Sequence, residues 1–264
     1  MAKVSEIRDF LNEKYPFYMK LGFDNVGMLV GFCDKEVTKI LVALDITDDV
    51  IDEAINCGAQ LIVSHHPLIF NALKTVTDDD FVGRKIIKMI SGGISGICLH
   101  TNLDTAEGGV NDALMQALGA TVNDLAAPHG THPDGTPYGI TRIGTLDAPT
   151  DMNTFLLKVK KALNANGLRY HDSGKPVYKI GACGGSGGDD MSKAFSLGCD
   201  TYVTADVKYD TFLWAKQNGL NLIDADHFCT ENVVVPVLHS CLSEQYPEID
   251  VCISQVHKQT AQFI

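Results

Sequence analysis

Two short apolar runs with a glycine-stopped helix between them constrain this chain more than any other feature. Lys39-Ile-Leu-Val-Ala-Leu-Asp45 is continuous and of strand length, and Leu61-Ile62-Val63 is a second such run. Between them Thr47 or Asp48 can cap a helix that reaches Cys57, where Gly58 supplies the stop. Strand, helix and strand in that order demand a parallel pair joined by a crossover, covered on both faces. The remaining periodicities continue the pattern: a helix over 5–15 ended by Pro16, a helix over 81–90, a strand over 94–99 and a helix over 111–118 stopped by Gly119.

At 264 residues the chain fits one large unit or two tightly joined lobes, at about 150 residues per domain. The stretch 126–139, rich in Pro, Gly, Thr, Asp and His, marks the boundary, giving a first lobe over 1–125 and a second over 126–264. A strand over 140–146 and an amphipathic helix from Thr150 or Asp151 to about Leu163 follow. A weak internal repeat supports two related lobes: Ile40, Ala54, Gly58 and Val63-Ser64 recur 140 positions later as Ile180, Ala194, Gly198 and Val203-Thr204. Coincidence of two generic βαβ units competes with that explanation. In both cases the class is α/β, and the expected architecture is two similar interlocked α/β lobes with mainly parallel central strands.

The charge balance is 21 basic against 33 acidic residues, net −12, without the basic footprint that phosphate neutralisation needs. Nucleic acid is therefore not the expected partner. No run approaches the ~18 apolar residues of a membrane helix, and the charged N-terminal residues lack a secretory core. The expected location is the cytoplasm, with no membrane partner. Eight cysteines are scattered without a C-x-x-C pair, which points to reduced, buried thiols.

Three strand ends carry ligand-type groups: His65-His66 after 61–63, His100 and Asp104 after 94–99, and His227 and Glu231 after 220–223. Functional groups of open α/β sheets gather at such ends. Pro67 biases His66 toward an extended backbone, so two adjacent histidines should diverge and serve two ions rather than chelate one. If the helix over 230–242 begins near His227, then His227 and Glu231, four apart, share one face. Asp104 can bridge through its two oxygens. The sum is a candidate dinuclear centre of His65, His66, Asp104, His227 and Glu231, expected between the lobes. His100 stands nearby as a ligand, an orienting residue or an acid–base group. A structural metal competes with a catalytic one, although the His/Asp/Glu mixture leaves room for water where structural zinc favours cysteine.

The glycine-rich turn Gly181-Ala-Cys-Gly-Gly-Ser-Gly-Gly-Asp-Asp190 allows two readings, an anion cradle of backbone N–H groups or a tight turn for close packing. It lacks the Gly-Lys-Ser/Thr of a Walker loop and the spacing of a dinucleotide site. No G-x-S-x-G elbow points to a nucleophilic serine.

Taken together, Asp24-Asn25-Val26-Gly27 with Gly31, Ser64-His65-His66-Pro67-Leu68-Ile69-Phe70, His100-Thr101-Asn102-Leu103-Asp104, the 184–188 turn and His227-x-x-x-Glu231 resemble the GTP cyclohydrolase 1 type 2 homolog family, the YbgI-like dinuclear metal proteins. The resemblance covers essentially the whole chain. It implies a two-lobed α/β fold, two divalent metal ions per subunit (Zn, Mn, Fe or Co) on the same five residues, and a homohexameric ring. The family favours Gly where this chain has Asp226, and a Tyr-His where it has Tyr209-Asp210. The expected activity is metal-dependent hydrolysis of a small molecule, such as opening of a purine ring in a nucleotide or cleavage of a phosphoester. His100 or Asp226 would move the proton. Lys208, Lys179 and Arg142 are local cations for an anionic substrate, or else ordinary solvated residues. The competing function is a non-enzymatic metal-binding adaptor or chaperone ring.

Overall fold

The computed structural model describes residues 2–264. The chain forms two compact units, Met1–Leu103 with Val235–Lys258, and Asp104–Val234 with Gln259–Ile264. The division thus falls at Leu103/Asp104, with a return at Val235. The Pro/Gly/His-rich stretch expected to separate lobes after residue 125 lies inside the second unit, where Gly130–Thr131 and Pro137–Tyr138 pair as a small hairpin.

The first unit is built on a five-stranded sheet in the order Asp250–Ile253, Lys39–Ala43, Leu61–Ser64, Ser95–Cys98, Gly27–Val30. The first three junctions are parallel and the last antiparallel. Leu61–Ser64 and Ser95–Cys98 are buried at every residue, as continuous apolar central strands must be. The helix Asp48–Cys57 crosses over the sheet and buries Val50, Ile51 and Ala54 against Leu41, Ala43 and Ile62. Its ends are those read from sequence: Thr47 Oγ1 accepts from the Val50 N–H at 3.2 Å, and Gly58 takes the left-handed φ of 74°.

The second unit carries a six-stranded sheet ordered Arg169–His171, Asn221–Asp224, Thr201–Thr204, Val177–Ala182, Arg142–Thr150, Thr121–Leu125. Of its five junctions only the second and third are parallel; the other three are antiparallel. Mainly parallel therefore describes the first unit, whereas the second is mixed. The physical reason is the missing crossover helix. Between Thr121–Leu125 and Arg142–Thr150 the chain holds only the small hairpin, so it doubles back and the two strands pair antiparallel, whereas parallel neighbours are usually joined across a helix.

The register settles the 140-residue repeat. Ile40 pairs with Leu61 and Val42 with Val63, while Ile180 pairs with Thr201 and Ala182 with Val203, the same offset in each pair. Gly58 and Gly198 both take left-handed φ values, 74° and 85°, at the matching helix ends. The two βαβ units are equivalent in register, not only in element order.

The continuous helix expected from near His227 to Leu242 is broken. His227–Glu231 is one short helix, Asn232–Val234 forms a 3-10 turn, and Val235–Gln245 is a second helix with Pro236 near its start. Proline has no N–H to continue an earlier helix and is preorganised for a first turn. Among the described residues no helix is long and apolar enough to cross a membrane.

Candidate metal centre

In the first unit the strand ends deliver a cluster of imidazoles. His65 and His66 follow Leu61–Ser64, and His100 follows Ser95–Cys98. One ring nitrogen from each of the three lies within 4.8 Å of the others. The His65 and His66 rings are 4.9 Å apart, so they do not diverge as an extended dipeptide would. The backbone leaves the strand at this point: both amides donate to the single carbonyl of Leu44, at 3.1 and 2.9 Å, and this bend gathers both rings.

Each of these rings is held from behind through Nδ1. His65 Nδ1 is 2.8 Å from the Leu99 carbonyl, His66 Nδ1 is 2.8 Å from Asp45 Oδ1, and His100 Nδ1 is 2.7 Å from Asp24 Oδ1. A carbonyl can only accept, so His65 must carry its proton on Nδ1, and the neutral ring then presents its lone pair at Nε2. Two carboxylates impose the same tautomer on His66 and His100. Burial opposes ionisation of both acids, yet hydrogen bonds outweigh it and hold their carboxyls well below the usual range. His100 and Thr101 do this for Asp24, and His257 and His66 for Asp45.

The second unit supplies the acidic donors. His227 opens its short helix and Glu231 closes it one turn later, with Nε2 and Oε2 3.1 Å apart, so the expected shared face is present. His227 too is held at Nδ1, 2.7 Å from Asp206 Oδ2. Asp104 is buried in the helix Thr101–Thr105, and its carbonyl accepts from Asn111 Nδ2 at 3.0 Å. Asn111 Oδ1 in turn accepts from the Gly184 N–H at 2.7 Å, which ties the glycine turn to the Asp104 segment. Burial, with the Asp104, Asp190 and Glu231 carboxylates nearby, pushes the Cys183 thiol far up and keeps it protonated.

The glycine turn makes room for this donor set. A Cβ at Gly185, where φ is +60°, would stand 2.1 Å from Glu231 Oε1 and 3.0 Å from His227 Nε2. Three of the turn's amides are engaged within the protein, Gly184 with Asn111, Gly185 with Thr230 Oγ1 and Gly187 with Thr204 Oγ1, which favours the tight-turn reading over an anion cradle. Asp190, rather than capping the next helix through its side chain, accepts from Thr141 and Lys193.

Asp226 takes φ 70° and ψ 137°, a backbone region that favours glycine, and its Oδ1 caps the His227 helix by accepting from Cys229 N at 3.2 Å. Arg142 is buried and fully committed to Asp112 and the carbonyls of Thr105, Ala106 and Gly139. It is a structural cation rather than a solvated one or an anion receptor. Lys179 donates to the Leu197 carbonyl, while Lys208 and Asp210 are exposed at the start of the helix Tyr209–Asn218.

The residues that sequence reasoning missed are the supporting acids Asp24, Asp45 and Asp206. Each had a visible signal: Asp45 ends the first apolar run, Asp24 opens the Asp-Asn-Val-Gly motif, and Asp206 follows a strand-end threonine. Sequence spacing does not reveal which distant histidine each one holds.

These residues fit a divalent metal. Four imidazoles have Nδ1 occupied, which leaves Nε2 as the basic nitrogen, and the supporting carbonyl and carboxylates are the partners that ligating histidines normally have. Buried carboxylates stand ready in the second unit, and glycine replaces any side chain that would crowd them. The donor chemistry of nitrogen and oxygen suits Zn, Mn, Fe or Co.

Fold and site together define an α/β protein with imidazole and carboxylate donors gathered at its strand ends. Residues 2–260 match the family described as Duf34/NIF3 (NGG1p interacting factor 3), and the chain belongs to it. A Clostridium perfringens relative called GTP cyclohydrolase 1 type 2 homolog is 35% identical over 264 residues, 99% of this chain and 100% of that protein. A Campylobacter jejuni relative of the same name is 32% identical over 96% of this chain and 97% of its own length. Among solved structures, a Bacillus cereus protein related to NIF3 superposes with a TM-score of 0.93 at 26% identity, covering 100% of this chain and 99% of that one.

Proposed function

We propose that the protein is a metal-dependent hydrolase acting on a small, nucleotide-like molecule, with His65, His66, Asp104, His227 and Glu231 holding two divalent ions. The observation that carries this reading is the shared arrangement of His65, His66, His100 and His227, each fixed through Nδ1 with Nε2 left as the basic nitrogen. Bound there, such ions would supply Lewis acidity and a water of lowered pKa.

The chain's own residues do the rest. Asp45 and Asp206 are positioning residues that orient His66 and His227. Asp24 fixes the His100 ring and also accepts from the Thr101 N–H at 2.9 Å, so His100 is held rigidly beside the other two imidazoles. With Nδ1 anchored, its Nε2 is the atom that can take a proton from the attacking water and return it to the leaving group. The family name carried by the relatives favours opening of a purine ring, and phosphoester cleavage needs the same parts.

The test is turnover of a panel of purine nucleotides and phosphoesters with Mn²⁺, Zn²⁺, Fe²⁺ or Co²⁺ added to chelator-treated protein. Metal-dependent turnover is expected, reduced by roughly tenfold or more in Glu231→Gln together with metal content. Absence of turnover with every metal, or an unchanged rate in Glu231→Gln, refutes the reading.

A further inference from the structure

Beside the histidine cluster, within the first unit, lies a cavity of about 530 Å³ that the metal donors alone do not account for. His66 forms part of its wall, with Phe70, Phe81 and Lys85 among the other lining residues. Its volume falls in the range that receives small ligands. Phe70 links the cavity to the donors, since its ring packs edge-on against His100 with centroids 6.1 Å apart.

Lys85 is the unusual member. It is only 7% exposed, yet among the described residues no carboxylate or carbonyl oxygen accepts a hydrogen bond from its ammonium. That ammonium stands over the Phe81 ring, one helical turn back, with Nζ 4.0 Å from the centroid. Its basic neighbours on the helix Phe81–Ser91 are paired: Arg84 with Asp48 at 2.8 Å and Lys88 with Asp52 at 2.7 Å. The two acids lining the cavity are occupied as well. Asp45 accepts from His66 and His257, at 2.8 Å each, and Asp80 accepts the Val82 and Gly83 amides at 2.9 and 2.7 Å. Burial pushes the Lys85 ammonium below the ordinary lysine range, which nearby Asp48 only partly offsets. Lys85 lines the cavity, so an anion bound there supplies the oxygen acceptor that the protein does not.

We propose that this cavity is the substrate compartment and that it takes an aromatic small molecule bearing one carboxylate or phosphate, with the anionic group on Lys85 and the ring against Phe70 and Phe81. This deepens, and rests on, the reading of a metal-dependent hydrolase whose donors include His66. Lys85 fixes the anionic end of the molecule, and the wall formed by His66 brings the rest of it beside the metal donors.

The experiment compares two matched pairs of probes, guanosine 5′-monophosphate against guanosine and nicotinate against nicotinamide. Binding to the full chain is measured by calorimetry, with and without Mn²⁺. In metal-free wild-type protein at least one anion should bind about tenfold or more tightly than its neutral twin, as expected of a charge-assisted hydrogen bond. The phosphate and carboxylate pairs separate the two sources of that charge. The preference should vanish in Lys85→Met, which keeps the side-chain bulk, and persist in Lys85→Arg, with Mn²⁺ binding unchanged in both. Equal binding within both pairs overturns the proposal, and so does an anion preference that survives in a folded Lys85→Met. If Mn²⁺ binds and drives turnover while the preference is missing, the compartment fails and the hydrolase reading stands. If the preference is present while no metal supports turnover, the hydrolase reading fails and the anion site stands.

Discussion

The backbone at Asp226 gives the sharpest quantitative expectation. At φ 70° and ψ 137° an L side chain is strained, by roughly 1–3 kcal/mol, and glycine is not. Substituting Asp226→Gly removes that strain. Against it stand the greater freedom of glycine in the unfolded chain, ~0.5–1 kcal/mol, and loss of the cap on Cys229 N, a few tenths when glycine replaces a capping residue. The net expectation is stabilisation by about 1 kcal/mol. Asp226→Ala keeps a Cβ in the same backbone region and loses the cap, so it should destabilise by ~1–2 kcal/mol. Urea unfolding of the chelator-treated variants, at constant m value, reads both numbers. The two variants should straddle wild type with a gap of roughly 2 kcal/mol. If glycine proves no more stable than alanine, the strain argument is wrong. The same pair tests the proton-transfer role read from the sequence: a stabilised Asp226→Gly that keeps its turnover makes Asp226 a cap and nothing more.

Two further outcomes follow from packing and burial. Gly185→Ala, whose Cβ would meet Glu231 Oε1 at 2.1 Å, should lose most of its bound metal by elemental analysis while the far-UV circular dichroism stays native. Its stability should fall by ~1–2 kcal/mol for the φ of +60°. Burial pushes the Cys199 thiol up to about 11, while the unfolded thiol titrates near 8.5. Between those values the unfolded chain sheds a proton that the folded chain keeps, so stability falls as pH rises through that window, by up to roughly 3 kcal/mol. Cys199→Ala should flatten that loss in urea titrations between pH 8 and 11, and an unchanged slope would contradict it.

Much of the first unit was legible because local signals agreed with one another. Thr47, the apolar face Val50-Ile51-Ala54 and Gly58 each specified the same helix, and the structure places its ends there. The second sheet was less legible. Its antiparallel edges depend on which strand the chain returns to after the 126–139 stretch, a long-range choice that periodicity does not encode. The donors were readable as residue types at strand ends. Their geometry was not: the convergence of His65 and His66 depends on both amides reaching Leu44, a contact that spacing along 61–67 cannot disclose. Arg142 was misread for a related reason. A lone arginine in a strand resembles a surface charge until Asp112 and three carbonyls are brought around it by other segments.

The repeat shows how one local architecture serves two chemical tasks. At the end of its second strand, Ser64-His65-His66 in the first copy corresponds to Thr204-Ala205-Asp206 in the second. The hydroxyl positions do similar work, Ser64 Oγ donating to the His66 carbonyl at 2.9 Å and Thr204 Oγ1 to the Gly185 carbonyl at 3.1 Å. Two residues later the copies part: His66 is itself a candidate donor, whereas Asp206 orients one, His227. The first strand inverts this. Asp45 orients His66, and at the matching position Gly185 gives up its side chain so that Glu231 can stand there. Each copy thus contributes a ring, a carboxylate that fixes a ring, or the space for a carboxylate, at the same two strand ends where a βαβ unit leaves its sheet. Exchanging these assignments one at a time, as in Asp206→Asn or Asp45→Asn, should loosen one imidazole without moving the sheet. An outer partner of this kind usually changes metal affinity by about 10- to 100-fold. A loss confined to metal binding would locate these acids in the donor geometry, whereas parallel losses of metal binding and urea stability would place them in the fold instead.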